Sequence, residues 1–224
     1  MRRVFAAFFL IAAASLLISV GGRWLGGAIA LGGHSDDPTP REIVIGNDVV
    51  VVPANAIRHE RARRNGVAPR LDLYLRWPDM RGYSAAAQAD FDHAGGSRRI
   101  LFLSFEPRMM SRDMSGRFEP IYRSLIGPDG QAGPGGIRLH AFSAASGYAN
   151  EELAVAGGEG AEPFVARCMA GANAEESLAP CERDLIVGKE LSLTYRFPRE
   201  LLGDWRRLDA AIRRFAQDAV KRGG

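Results

Sequence analysis

Residues 185–197, LIVGKELSLTYRF, carry the clearest fold signal in this chain of 224 residues. From residue 191 to 197 apolar and polar residues alternate, so an extended backbone would have one apolar and one polar face. Gly188 and Lys189 precede this run, and glycine at the first position of a two-residue loop is typical of a tight β-hairpin. The stretch therefore predicts an antiparallel hairpin.

Five further stretches have the composition of β-structure. Residues 71–77, LDLYLRW, alternate strictly, which predicts a half-buried strand. Residues 43–52 contain two β-branched runs around Gly46-Asn47-Asp48, which predicts a first hairpin. Residues 100–105 are apolar on both faces, as is typical of a central strand covered on two sides. Residues 137–142 and 164–169 are the remaining candidate strands.

The periodicity changes near the C-terminus. Apolar residues recur there at alternating spacings of four and three, which places them on one face of an α-helix: Leu201, Trp205, Leu208, Ile212, Phe215 and Ala219. We expect this helix to pack on the protein's own sheet, and the alternative is that it docks a partner or a second copy. The fold class is thus predicted to be α+β, a mostly antiparallel β domain with a C-terminal amphipathic helix.

The N-terminus predicts a transmembrane helix ahead of that domain. Residues 4–20, VFAAFFLIAAASLLISV, contain no polar residue larger than Ser, and Gly21 and Gly22 extend the stretch to roughly the length that spans a bilayer. Arg2 and Arg3 precede it, which favours a cytoplasmic N-terminus. The segment through residues 4–22 is thus interpreted as an uncleaved signal anchor. A cleaved signal peptide ending near 28–30 and twin-arginine export are the alternatives.

This segment sets the expected domain organisation and location. Residues 1–33 are predicted to form the anchor, residues 34–41 a Pro/Gly-rich linker, and residues 42–224 one periplasmic domain. The expected location is the bacterial inner membrane, single-pass, with the C-terminal domain in the periplasm.

The charge distribution excludes nucleic acid as a partner. Three of the 29 basic residues and none of the 26 acidic residues lie before residue 34, which leaves 26 of each sign in the rest of the chain. A neutral domain lacks the positive surface that dominates affinity for nucleic acid.

Cys168 and Cys181 are the only cysteines. An even pair in an exported chain predicts a disulfide, and the spacing does not match a CxxC metal or thiol-exchange motif. Two unpaired buried cysteines are the alternative interpretation.

Asp90, Asp92 and His93 form the one tight cluster of potential metal ligands in the sequence. Carboxylate oxygens and an imidazole nitrogen so close together could hold a divalent cation or orient a water molecule. A solvated acidic loop is the other interpretation. Gly-x-Ser-x-Gly and Ser-x-x-Lys motifs are absent, and no cofactor is expected.

Arg58, Arg61, Arg63 and Arg64 make the densest positive cluster after residue 33. Such a run could contact anionic lipid headgroups or simply form a solvated face.

Several strings together resemble a group of single-pass envelope proteins of Gram-negative bacteria whose activity is not known. They are Arg2-Arg3 with one spanning segment, IGNDVVVVPAN (45–55), RLDLYLRWPDMRGYS (70–84), RDMSGRFEP (112–120) and the closing helix. The resemblance implies a location and no activity. The predicted function is a non-enzymatic envelope binding or accessory module with a protein partner, and a metal-assisted envelope hydrolase using Asp90, Asp92 and His93 is the alternative.

Overall fold

The structure, a computed structural model, describes residue 15 and residues 33–148, 150–157 and 162–221, with the backbone alone at residue 173. The chain divides into two compact units, Met1–Ser35 and Asp36–Gly224. Every strand and helix with bounds given below lies in the second unit. The anchor, linker and domain limits at residues 33 and 41 stay predictions.

Eleven strands lie in the described residues. They are β1 (Pro40–Ile45), β2 (Asp48–Pro53), β3 (Gly66–Val67), β4 (Leu71–Arg76), β5 (Ile100–Pro107), β6 (Gln131–Ala132), β7 (Arg138–Ala141), β8 (Glu151–Ala156), β9 (Phe164–Met169), β10 (Cys181–Val187) and β11 (Leu191–Phe197). Eight of them form one sheet in the order β4-β5-β11-β10-β9-β8-β7-β6, with every neighbour antiparallel. The other three form a small sheet in the order β2-β1-β3, in which β1 and β3 are parallel. The predicted mostly antiparallel sheet is confirmed.

Four α-helical segments accompany the sheets in the described residues after residue 33. They are α1 (Gln88–Phe91), α2 (Arg123–Leu125), α3 (Ala172–Glu176) and α4 (Trp205–Ala219), and a π-helical turn, Phe118–Tyr122, leads into α2. Short 3-10 segments lie at Ala54–Ala56, Glu60–Ala62, Ala85–Ala87, Ala94–Gly96, Pro134–Gly136, Ala144–Ser146 and Arg199–Asp204.

The predicted C-terminal helix is confirmed as α4. Its apolar face, which includes Leu208, Ile212 and Ala216, is buried in the main core together with residues of both sheets. Burying a Leu or Ile side chain contributes about 1.5–3 kcal/mol each. The helix therefore packs on the protein's own sheet, as the amphipathic pattern predicts.

The two hairpins predicted from the sequence meet at a buried carboxylate. Ile45 pairs with Asp48 across the β1–β2 turn, and Asp48 is only 4% exposed. The Asp48 carboxylate accepts hydrogen bonds from the backbone N–H groups of Lys189 and Glu190 in the β10–β11 turn, at 3.0 and 2.9 Å. This contact joins the turn of the small sheet to a turn of the large one.

A second, smaller core lies on the opposite face of the large sheet. Met114, Phe118 and Tyr122 from the segment before α2 pack there against Leu153 of β8 and Val165 of β9. Both faces of β8 and β9 are thus covered, because Ala154 and Ala166 on the same strands face the main core.

Sequence patterns missed β8 and misjudged β5. β8, EELAVA, begins with two acidic residues and buries side chains on both faces, so it shows no clean alternation. β5 is an inner strand as predicted, but Phe102 and Ser104 are only partly buried on its second face. That face of the sheet is left partly open.

The predicted transmembrane helix is corrected. Apart from Ser15, residues 4–22 lie outside the described residues, and within those residues no helix is both long enough and apolar enough to cross a membrane. A spanning helix needs about 20 mostly apolar residues. The longest described helix, α4, has 15 residues and carries charged side chains along its outer face. Within the described residues the fold class is therefore α+β with no spanning helix, and the single-pass inner-membrane location that depended on one is not supported.

Candidate functional site

The open face of the large sheet forms the floor of a groove. On β4, β5, β10 and β11, the side chains that alternate with the core residues point to this face: Asp72, Phe102, Ser104, Glu106, Glu182, Asp184, Ser192, Thr194 and Arg196. Two adjoining cavities of about 610 and about 270 Å³ share Glu106, Glu182 and Thr194 in their linings. We call the two cavities together the sheet groove.

At one end of the sheet groove, Asp72 is the centre of a hydrogen-bond network with Ser104 and Arg70. Ser104 Oγ donates a hydrogen bond to Asp72 Oδ1 at 2.5 Å, and Arg70 Nε donates to the same oxygen at 2.7 Å. Arg70 also donates to Ser104 Oγ at 2.8 Å. Burial alone would raise the pKa of the Asp72 carboxyl, but the hydrogen bonds from Ser104 and Arg70 outweigh it and lower the pKa. The carboxylate is therefore ionised and already satisfied at neutral pH.

At the other end of the sheet groove, Asp184 accepts hydrogen bonds from Arg117 and Met114. Arg117 donates to Asp184 Oδ1 at 2.8 Å and the backbone N–H of Met114 donates to it at 2.9 Å. Burial raises the pKa of the Asp184 carboxyl above its ordinary value, although the Arg117 guanidinium opposes the shift. These bonds fasten the segment before α2 onto the sheet.

The middle of the sheet groove contains polar side chains that have no partner within the described residues. Glu106, Ser192 and Thr194 are half-buried, and their side chains make no hydrogen bond or ion pair within the described part of the chain. Beside these groups, Arg167 is fully engaged, with Glu151 at 2.7 Å and Glu182 at 2.9 Å. Such groups can exchange hydrogen bonds to water for hydrogen bonds to a molecule that enters the sheet groove.

Exposed apolar side chains stand at the rim of the sheet groove. Met109 is 88% exposed, Met110 51% and Leu178 39%, and all three line the cavities. Methionine is flexible and polarisable, which suits a surface that adapts to another protein. The sheet groove thus combines a floor of polar side chains, some of them without a protein partner among the described residues, with an apolar rim. This arrangement is typical of recognition surfaces.

A third cavity, in addition to the two that form the sheet groove, lies beside β3 and β4. It has a volume of about 620 Å³ and is lined by Arg61, Arg64 and Arg70 with the apolar residues Val67, Ala68 and Pro69 among others. We call it the arginine pocket. Arg61 and Arg64 belong to the positive cluster predicted from the sequence. Arg58 of the same cluster lies in the sheet groove instead, with its guanidinium 5.0 Å from the centroid of the Phe102 ring.

The predicted metal ligands are adjacent, but neighbouring groups already bind them. Ser97 Oγ donates to Asp90 Oδ1 at 2.7 Å, and Arg76 lies 3.7 Å from the other oxygen. His93 Nδ1 lies 3.2 Å from the Ser97 carbonyl oxygen, and Asp92 is exposed. Among the described residues no three His, Cys, Asp or Glu side chains converge as a metal site would require. Metal binding at Asp90, Asp92 and His93 therefore stays a prediction.

The predicted disulfide is present. Cys168 and Cys181 are bonded and lie directly opposite one another on β9 and β10. The bond ties the middle of the large sheet together beneath the sheet groove, and it leaves no free cysteine in the described residues.

Sequence reasoning did not select Glu106, Ser192 and Thr194. The signal available was the alternation itself, because Ser192 and Thr194 are the polar positions of the hairpin strand 191–197. Alternation marks such residues as facing away from the core, but it cannot show that β5 and β11 pair and so bring them together.

Comparisons with known proteins give one structural likeness. No family model matches the chain, and no curated protein matches its sequence. An immunity protein of the Stenotrophomonas maltophilia type IV secretion system has a similar structure, with a TM-score of 0.50 and 14% identity. The match covers 83% of this chain and 94% of that protein. At this identity the likeness shows a shared fold.

Proposed function

We propose that this chain is an immunity-type protein, a non-catalytic module that binds a toxic protein delivered by a bacterial secretion system and blocks its action. The observation that carries the proposal is the shared fold with an immunity protein of a secretion system, which extends over 83% of this chain. The match includes nearly the whole of the other protein, at 94% of its length.

The sheet groove is the proposed binding surface for the toxic protein. Its floor offers Glu106, Ser192 and Thr194 as unpaired polar groups, and Met109 and Met110 supply exposed apolar contacts at its edge. Protein interfaces combine apolar anchors with polar groups that find partners across the interface.

The disulfide supports a site of action outside the cytoplasm. Disulfides such as Cys168–Cys181 persist in oxidising compartments, whereas cytosolic thiols are kept reduced. We therefore propose that the folded domain acts in an oxidising compartment of the bacterial envelope. A hydrolase using Asp90 gains no support, because Ser97 and Arg76 already contact that carboxylate.

The proposal is tested in three steps with the full chain. Proteins captured by crosslinking in the native cells are identified and then expressed alone, in the same compartment, in a sensitive host. The captured protein should stop growth, and co-expression of this chain should restore it. A captured protein that is harmless, or a toxicity that co-expression leaves unchanged, would contradict the proposed function.

A pair of variants locates the surface. Thr194→Arg places a long charged side chain in the middle of the sheet groove, so it should abolish the growth rescue. Ala210→Arg introduces the same side chain at an exposed position of α4 and should leave rescue intact. Equal rescue by both variants would show that binding occurs elsewhere.

A further inference from the structure

We propose that an acidic, extended segment of the partner protein docks in the arginine pocket, beside the edge strand β3. The inference rests on the proposed function only for the source of that segment. The recognition chemistry is carried by residues 58–72 of this chain.

The first argument is that three arginines of this segment have no carboxylate partner within the described residues. Arg58, Arg61 and Arg64 are exposed, and none of them forms an ion pair with any residue that the structure describes. Several other arginines are paired within the domain: Arg41, Arg123 and Arg213 hold carboxylates at 2.7, 2.6 and 2.8 Å. Residues 58–64 contain four arginines and one acidic residue, Glu60, whereas residues 34–224 are neutral overall. This segment is therefore a local positive surface that favours an anionic ligand.

The second argument is the lining of the cavity. Asp72 is the one carboxylate among the residues that line the arginine pocket, and it is bound by Arg70 and Ser104. The lining therefore offers no further carboxylate to Arg61 and Arg64. Guanidinium groups bind carboxylates through two parallel hydrogen bonds, so acidic side chains match them in shape as well as in charge.

The third argument identifies the ligand as a polypeptide. β3 is the outer strand of the small sheet, paired with β1 through Ile43↔Gly66 and Val44↔Val67. An outer strand presents backbone N–H and C=O groups to which an extended chain can add as a further strand. Val67 of β3 is 85% exposed and lines the pocket, so it can pack against an apolar residue of that chain. Backbone pairing of this kind is not available to a phosphate or a lipid headgroup.

A labelled hexapeptide, Glu-Val-Glu-Val-Glu-Val with blocked ends, is the direct probe. Its dissociation constant is measured by fluorescence anisotropy with the full-length chain in a non-ionic detergent. Binding should weaken as salt is raised, since charges are screened over about 10 Å at 0.1 M ionic strength. The same peptide with alternate backbone amides N-methylated should bind more weakly, because it cannot add as a strand.

Matched double variants assign the binding to the pocket. Arg61→Glu/Arg64→Glu should weaken peptide binding at least about tenfold, which corresponds to about 1.4 kcal/mol. Arg99→Glu/Arg214→Glu changes the net charge equally at two exposed arginines outside the pocket, and its dissociation constant should be unchanged. Unchanged far-ultraviolet circular dichroism checks the fold of both variants.

Several outcomes would overturn the inference. These are no peptide binding, equal loss in the two double variants, equal affinity of the N-methylated peptide, and binding of tripolyphosphate where the peptide fails. If the peptide fails but the growth rescue succeeds, the arginine pocket is not the docking site and the proposed function stands. If the peptide binds but no toxic partner exists, the pocket is confirmed and the proposed function fails.

Discussion

At the scale of single residues, Arg183 is the largest side chain that is fully buried, at 1% exposure. It lies on β10, where it donates from Nε to Asp209 Oδ1 at 3.0 Å and from a terminal nitrogen to the Val165 carbonyl at 2.8 Å. Tyr195 donates to the same Asp209 oxygen at 2.9 Å, and Arg213 donates to the other oxygen at 2.8 Å. Asp209 on α4 is therefore the carboxylate that compensates a guanidinium buried in the sheet.

Asp209→Asn should destabilise the protein strongly at neutral pH. The substitution leaves Arg183 buried without a counter-charge, and breaking a buried ion pair in this way costs about 3–5 kcal/mol. The measurement is the free energy of unfolding in urea, with Asp218→Asn on the exposed face of the same helix as the control. Adding Arg183→Met to Asp209→Asn should recover part of the loss. A double variant as unstable as the single one would show that charge is not the cause.

The same substitution should have a pH signature. Burial alone would raise the pKa of the Asp209 carboxyl, but Arg183 and Arg213 outweigh it and the pKa lies below its ordinary value. A carboxylate with a lowered folded pKa contributes stability above its unfolded pKa, near 3.9, and loses it as the pH falls through the folded pKa. The stability difference between wild type and Asp209→Asn should therefore shrink below about pH 4. A difference that stays constant down to about pH 2 would contradict this assignment.

At the scale of secondary-structure elements, β9 and β10 are joined in three ways: backbone pairing, the disulfide, and the ion pair of Arg167 with Glu182. The disulfide points into the main core, whereas the ion pair lies on the opposite face of the same two strands. The two residues of the ion pair line the sheet groove.

Replacing both cysteines should lower stability without changing the fold. Closing a loop of 13 residues stabilises a protein by about 3 kcal/mol in the chain-entropy model. Cys168→Ala/Cys181→Ala is the suitable variant because both positions are fully buried and a hydroxyl there would lack a partner. The measurement is urea unfolding with and without reductant. The wild type should lose stability on reduction, and the double variant should not respond. Equal stability of all four samples would contradict a structural role.

At the scale of the whole molecule, the compact unit Asp36–Gly224 contains both hydrophobic cores, whose buried members lie between Ile43 and Val220. The two sheets and α4 share the main core. This unit holds the sheet groove and the arginine pocket as well.

A chain that begins at Asp36 should fold with the stability of the full chain. Removing residues 1–35 deletes no member of either core, so the unfolding free energy should change by less than about 0.5 kcal/mol. A chain that begins at Asp48 is the control, because it lacks β1 with the buried Ile43 and Ile45. That control should unfold at a clearly lower urea concentration. A large loss of stability in the chain from Asp36 would contradict the proposed domain boundary.

The sequence by itself determined the local elements and the covalent link. Alternation predicts the strands at 71–77 and 191–197, the spacing of apolar residues predicts α4, and the cysteine pair predicts the disulfide. These features depend on neighbours a few residues apart, or on there being just two cysteines, so a linear pattern records them.

Tertiary structure alone decided which residues form the binding surfaces. Glu106, Ser192 and Thr194 meet because β11 pairs with β5 and places Ser192 opposite Glu106, a pairing that no local pattern encodes. β8 begins with two acidic residues and is buried on both faces, so its sequence shows no alternation. The burial of this strand depends on what packs above and below it. Tertiary structure also separates the arginines that hold carboxylates from Arg58, Arg61 and Arg64, which form no ion pair with any described residue. Charge pairing and solvent exposure depend on contacts between residues distant in sequence, and only the folded chain brings those residues together.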